Sequence, residues 1–200
     1  MNSRRWWLAM VLAGLLAGCG EQGVQVPSDR FHRLNIGAPA TVYKTPPIAG
    51  TLEVARFSAI DVLEDRAILF AEKDNPDVLH QYHYQLWADA PPHMLQSVTV
   101  EYLREARLAD QVVTAGRGII PTYSLRGDIK KLEHVVGGSS SVVVALEFAL
   151  REHKSGKVIW IKSYTANKAA KNDTVDAAMH AFSEAVQEIL SGLTVELARR

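Results

Sequence analysis

Two hydrophobic rhythms take turns along this chain, one of period two and one of period about 3.6. Phe31-His32-Arg33-Leu34-Asn35-Ile36 alternates large apolar and polar residues and predicts a first strand. Ala38 to Gly50 holds three prolines and reads as a loop, and Thr51 to Phe57 returns to alternation as a second strand. Arg66–Glu72 and Val78–Trp87 flank the turn signal Asn75-Pro76 and predict a hairpin. In the second of these, Val78, His80, Tyr82, Tyr84 and Leu86 share one face, and Leu79, Gln81, His83, Gln85 and Trp87 the other.

The rhythm then changes. After Asp89-Ala90-Pro91-Pro92, the residues Met94, Leu95, Val98, Tyr102 and Leu103 recur at helical spacing, so a helix is expected from Pro92 to Arg107. Val112–Ala115 reads as a short strand stopped by Gly116-Arg117-Gly118. Tyr123–Val136, Ser141–Glu152 and Val158–Ala166 are three runs joined by Gly137-Gly138-Ser139-Ser140 and Lys154-Ser155-Gly156-Lys157, which predicts an antiparallel meander. The last element has the clearest stripe, from Val175 through Phe182, Ile189 and Leu193 to about Leu197, with Asp173 as the expected N-cap. The expected fold is α+β: a mostly antiparallel sheet with two main helices packed on one face.

The amino end follows neither rhythm. Arg4 and Arg5 precede an apolar run from Trp6 to Leu16, and Leu16-Ala17-Gly18-Cys19 closes it. The run falls short of the roughly 20 apolar residues a spanning helix needs, so it fits the hydrophobic part of an export signal. Leu, a small residue, Gly and Cys resemble the recognition pattern of bacterial lipoprotein processing. That resemblance implies cleavage before Cys19, a diacylglyceryl group on its thiol and an acyl chain on the new amino group. Three tails make a firm anchor where one chain binds marginally. Gly20 stands where Asp commonly retains lipoproteins in the inner membrane, so the expected location is the periplasmic face of the outer membrane. Residues 1–18 are thus read as signal peptide, 19–30 as lipidated tether and 31–200 as the domain.

Charge and cysteine usage narrow the function further. The precursor has 22 basic and 22 acidic side chains, and loss of Arg4 and Arg5 leaves a slight acidic excess. No basic field attracts nucleic acid. Cys19 is the only cysteine, which excludes a disulfide within the chain and a thiolate metal site. The domain must therefore fold by burial alone, and 48% apolar residues permit it.

Several segments together resemble the ABC-type transport auxiliary lipoprotein family: Phe31-His32-Arg33-Leu34, Arg66-Ala67-Ile68-Leu69-Phe70, Tyr84-Gln85-Leu86-Trp87-Ala88-Asp89-Ala90-Pro91-Pro92 and Tyr123-Ser124-Leu125-Arg126-Gly127-Asp128-Ile129. Phe31 departs from the Tyr more common there. The resemblance spans about Phe31 to Leu197. It implies a non-enzymatic component of an MCE-type intermembrane lipid transport system, docking a periplasmic conduit at the outer membrane. The implied partners are an MCE-domain protein and its inner-membrane transporter; a homo-oligomer stays open. The alternative is a periplasmic regulator or scaffold lipoprotein of envelope biogenesis.

The residues suggest no catalytic group, no metal and no cofactor beyond the lipid on Cys19. His80 and His83 fall on opposite faces of a strand, and the other five histidines are scattered. Ser139-Ser140-Ser141 lacks the second glycine of a nucleophile elbow and lies between strands. Trp87, Pro91 and Pro92 have two readings: a strand end packed beneath the start of a helix, or a partner surface.

Overall fold

The computed structural model describes residues 27–116 and 118–200. Cys19 and the signal lie outside them. The strands are β1 (Arg30–His32), β2 (Ile48–Val54), β3 (Ser58–Ala59), β4 (Ala67–Glu72), β5 (Asn75–Trp87), β6 (Ala109–Thr114), β7 (Tyr123–Val136), β8 (Ser141–Glu152) and β9 (Val158–Ala169). The helices are α1 (Asp61–Glu64), α2 (Pro91–Glu105) and α3 (Val175–Leu197).

All nine strands join one mixed sheet, and β7 is its spine. Along one edge of β7 the chain lays down three parallel segments in succession. Leu52–Val54 pairs with Tyr123–Leu125, Ser58–Ala59 with Asp128–Ile129, and Leu69–Glu72 with Glu133–Val136. The sheet forks beyond them: β6 runs parallel to β2, while β5 returns antiparallel to β4 and carries β1. Along its other edge β7 pairs antiparallel with β8, and β8 with β9.

The hairpin and the meander are therefore as expected, but the sheet is mixed rather than mostly antiparallel. Among the described residues the two main helices, α2 and α3, are joined by a third, the four-residue α1. The physical reason is the broken edge of β7. Segments 52–72 all run in the same direction, and α1 is the four-residue detour that lets β4 resume where β3 stops.

Alternation decides which side of β8 is covered. Val142, Val144, Leu146, Phe148 and Leu150 are buried, while the residues between them are half-buried or exposed. The stripe of α3 lies against β8 and β9, with Ala178, Phe182, Ala185, Ile189 and Leu193 at 2% exposure or less. Helix α2 lies against β6 and β2 and touches α3. One continuous core results. The N-cap of α3 is Thr174, one residue later than expected; its hydroxyl accepts from Ala177 N–H at 3.3 Å, and Asn172 Oδ1 accepts from Thr174 N–H at 3.0 Å.

Candidate functional site

The corner between β5 and α2 carries the Trp87-Ala88-Asp89-Ala90-Pro91-Pro92 segment. Arg66 holds it from below: Nε donates to Trp87 O and Nη2 to Ala88 O, each at 3.0 Å. The same guanidinium lies 4.9 Å from the Phe31 ring centre. Asp89 caps the turn, accepting from Ala90 N–H at 2.8 Å and pairing with His93. The hydrogen bond from His93 holds the Asp89 carboxyl below its usual value, with Ala90 N–H and Arg66 adding to the effect.

This geometry bears on the two readings of Trp87, Pro91 and Pro92. Trp87 is 1% exposed and meets Phe182 of α3 edge to face, with ring centres 5.3 Å apart. Pro91 and Pro92 are buried in the first turn of α2, where their missing N–H groups leave no orphan donor. All three side chains are buried, which is the arrangement expected of a strand end packed beneath the start of a helix.

A second cluster was not legible as such in the sequence. Tyr82 Oη lies 3.0 Å from His134 Nδ1, and His134 Nε2 lies 2.9 Å from Ser140 Oγ. His134 is fully buried and Ser140 is 6% exposed. Burial pushes His134 below its ordinary value, with nearby Asp173 opposing, and raises the Tyr82 phenol. The Ser–His distance would suit a nucleophile and its base. A triad, however, places a carboxylate on Nδ1 to stabilise the imidazolium. Here a neutral phenol occupies that place and Ser140 is closed off, so the chain of three ties the Gly137–Ser140 turn to β5.

The remaining histidines disperse. His80 stacks on Phe70 with ring centres 5.1 Å apart, His32 contacts Gln85, and His93 contacts Asp89. Among the described residues no group of three or more His, Cys, Asp or Glu is placed to hold a metal ion. No helix among them is long and apolar enough to cross a membrane.

Exposed apolar side chains gather at one end of the sheet instead. Ile119 and Ile120 precede β7 and are 44% and 80% exposed; Val158, Ile159 and Ile161 begin β9 at 53%, 46% and 62%. Between them, His153 N–H in the turn after β8 donates to Thr122 O just before β7, at 2.9 Å. Neither segment stood out in the sequence. Each is only two or three apolar residues long, and a pleated strand carries as many on its buried side.

Comparison with known proteins bears on the whole domain. A crystal structure of a protein from Xanthomonas campestris shares the fold with a TM-score of 0.72 at 18% identity, covering 82% of this chain and 92% of that one. An uncharacterised protein of known structure has a TM-score of 0.62 at 15% identity, covering 86% and 98%. A hypothetical protein from Chlamydia trachomatis gives 0.50 at 8% identity, covering 76% and 99%. No curated protein matches the chain. The family model described as ABC-type transport auxiliary lipoprotein component matches residues 33–192. That match runs from just after β1 to within α3 and takes in the buried corner at Trp87, so the chain belongs to the ABC-type transport auxiliary lipoprotein family.

Proposed function

We propose that this transport-associated lipoprotein is a non-enzymatic adaptor of an MCE-type intermembrane lipid transport system. Anchored through acylated Cys19 in the periplasmic face of the outer membrane, it docks the periplasmic conduit there. The observation that carries the reading is the family match over residues 33–192, placed directly behind Leu16-Ala17-Gly18-Cys19. The family is auxiliary to transporters, and a lipid on Cys19 puts such an auxiliary at a membrane surface. The enclosed Ser140–His134 pair supports an adaptor over a hydrolase, since a substrate has no approach to a serine 6% exposed.

Co-purification from detergent-solubilised envelopes tests the proposal. An MCE-domain protein should be recovered with the chain and be enriched in the outer-membrane fraction. Repeated recovery of a cell-wall synthase, with no MCE-domain protein, would favour the scaffold alternative instead.

A further inference from the structure

Helix α2 ends in a tight reversal that suits glycine and holds arginine. Arg107 N–H donates to Arg104 O at 3.0 Å and Leu108 N–H to Leu103 O at 3.1 Å, the two bonds of a Schellman turn. The turn sets Arg107 at φ 53°, and among the described residues it is the one non-glycine with a positive φ. Glycine takes this position without a Cβ clash, so a long side chain here strains the backbone. Such strain collects at functional sites.

The helix end has no need of the Arg107 side chain. Tyr102 O accepts from Ala106 N–H at 2.9 Å, and Ala106 O accepts from Tyr43 N–H at 3.0 Å. With Leu103 O and Arg104 O taken by the turn itself, these carbonyls all have main-chain donors. Among the described residues neither Arg104 nor Arg107 belongs to an ion pair.

Both arginines line one hollow of about 530 Å³ between the end of α2 and β6, with Pro46, Asp110 and Val113. Arg104 is fixed there: Nε and Nη2 donate to Val112 O at 3.3 and 2.8 Å. A guanidinium has five N–H donors, so most of its fork still faces outward. The one carboxylate lining the hollow, Asp110, already accepts from Gly50 N–H at 2.7 Å. Glu105 lines a different groove, with Glu101 and Leu34. Guanidinium forks match the oxygens of carboxylates and phosphates. One fork uses both oxygens of a carboxylate; a phosphate has further oxygens for a second.

We propose that Arg104 and Arg107 form a binding site for a phosphate group, with Arg104 fixed on β6 and Arg107 held beside it by the strained turn. The site is independent of the adaptor reading above. A phospholipid headgroup and a soluble phosphate ester carry the same chemistry, and the test separates them.

The test is calorimetric titration of the native full chain in maltoside micelles at constant ionic strength. The probes are inorganic phosphate, glycerol 3-phosphate, glycerophosphoglycerol, phosphatidylglycerol mixed into the micelles, and acetate. At least one phosphate-bearing probe should bind the wild type, and acetate should not. Arg107→Gly and Arg104→Gln should each weaken that binding at least about tenfold, as loss of a charge-assisted hydrogen bond does. Arg126→Gln, at an exposed position on β7, should bind as wild type does. Arg107→Gly should also raise the urea midpoint, because glycine relieves the turn. A residue kept for the fold would not trade binding for stability in this way. Should Arg104→Gln misfold, Arg107→Gly alone decides.

Binding of glycerophosphoglycerol and of phosphatidylglycerol identifies a lipid headgroup site. Binding of phosphate or glycerol 3-phosphate alone identifies a site for a soluble ester. Absence of binding by every probe, binding of acetate as strong as that of phosphate, or wild-type binding by Arg107→Gly would each overturn the site. Loss of binding with a lower urea midpoint would make Arg107 a structural residue and overturn it likewise.

Discussion

Trp87 at the end of β5 and Phe182 in α3 meet edge to face, with ring centres 5.3 Å apart, and both are almost wholly buried. The contact joins the hairpin side of the sheet to the helix that covers the meander. Truncating either ring removes a large buried surface and leaves a cavity. Trp87→Ala and Phe182→Ala should each cost about 3–5 kcal/mol, measured by urea unfolding. Loss of partner binding by Trp87→Ala with unchanged stability would show that the indole is a surface anchor after all.

Gly127 faces Phe148 across β7 and β8, and the Phe57 ring fills the space where a Cβ would stand. Phe57 is itself 2% exposed and packs edge-on against Phe148 with centres 5.6 Å apart. Gly127→Ala should therefore overpack this site at a cost of about 1–3 kcal/mol. Adding Phe57→Leu should restore part of the loss. The double-mutant cycle checks the coupling; strictly additive losses would contradict it.

His134 links folding to pH. Its folded value lies below the ordinary 6.5, chiefly through burial. The unfolded chain therefore takes up a proton first as pH falls, and the proton favours the unfolded state. The contribution of His134 is complete above about pH 6.5 and is lost progressively below it, down to the folded value. Urea midpoints should fall on acidification through this window. His134→Gln should be less stable at neutral pH and show a flatter profile there. An unchanged slope in that variant would assign the pH dependence elsewhere.

Tyr164 holds a buried hydroxyl with no hydrogen-bond partner among the described residues, and burial pushes the phenol up to about 12, with Glu196 adding to the rise. Tyr164→Phe removes that hydroxyl and keeps the ring against Phe148, whose centre is 6.0 Å away. The variant should match or exceed wild-type stability, because an unpaired buried polar group costs about 1–3 kcal/mol. A loss of more than about 1 kcal/mol, the typical worth of one hydrogen bond, would mean that the hydroxyl has a partner.

What was legible in the sequence was local. The meander could be read because Gly137-Gly138 and Ser155-Gly156 mark its turns and strict alternation marks β8. Helix α3 could be read because its stripe is continuous from Val175 to Leu197. The parallel pairing of β2, β3 and β4 along β7 leaves no such mark, since no tight turn joins parallel neighbours. Two-residue β3 and four-residue α1 are too short for any period to register. The burial of Glu133 and His134 was hidden by the register shift between Ile129 and Lys131. Beyond that shift Leu132, Glu133 and His134 are buried in succession, against simple alternation. The tether and Cys19 were legible only as a processing signal, whose meaning lies in the enzymes that read it.

Mass spectrometry of the mature amino terminus, on protein purified from native envelopes, tests the central claim most directly. The account predicts that the first residue is Cys19 carrying a diacylglyceryl group on sulfur and an acyl chain on nitrogen. A first residue without lipid, or a terminus upstream of Cys19, would contradict it.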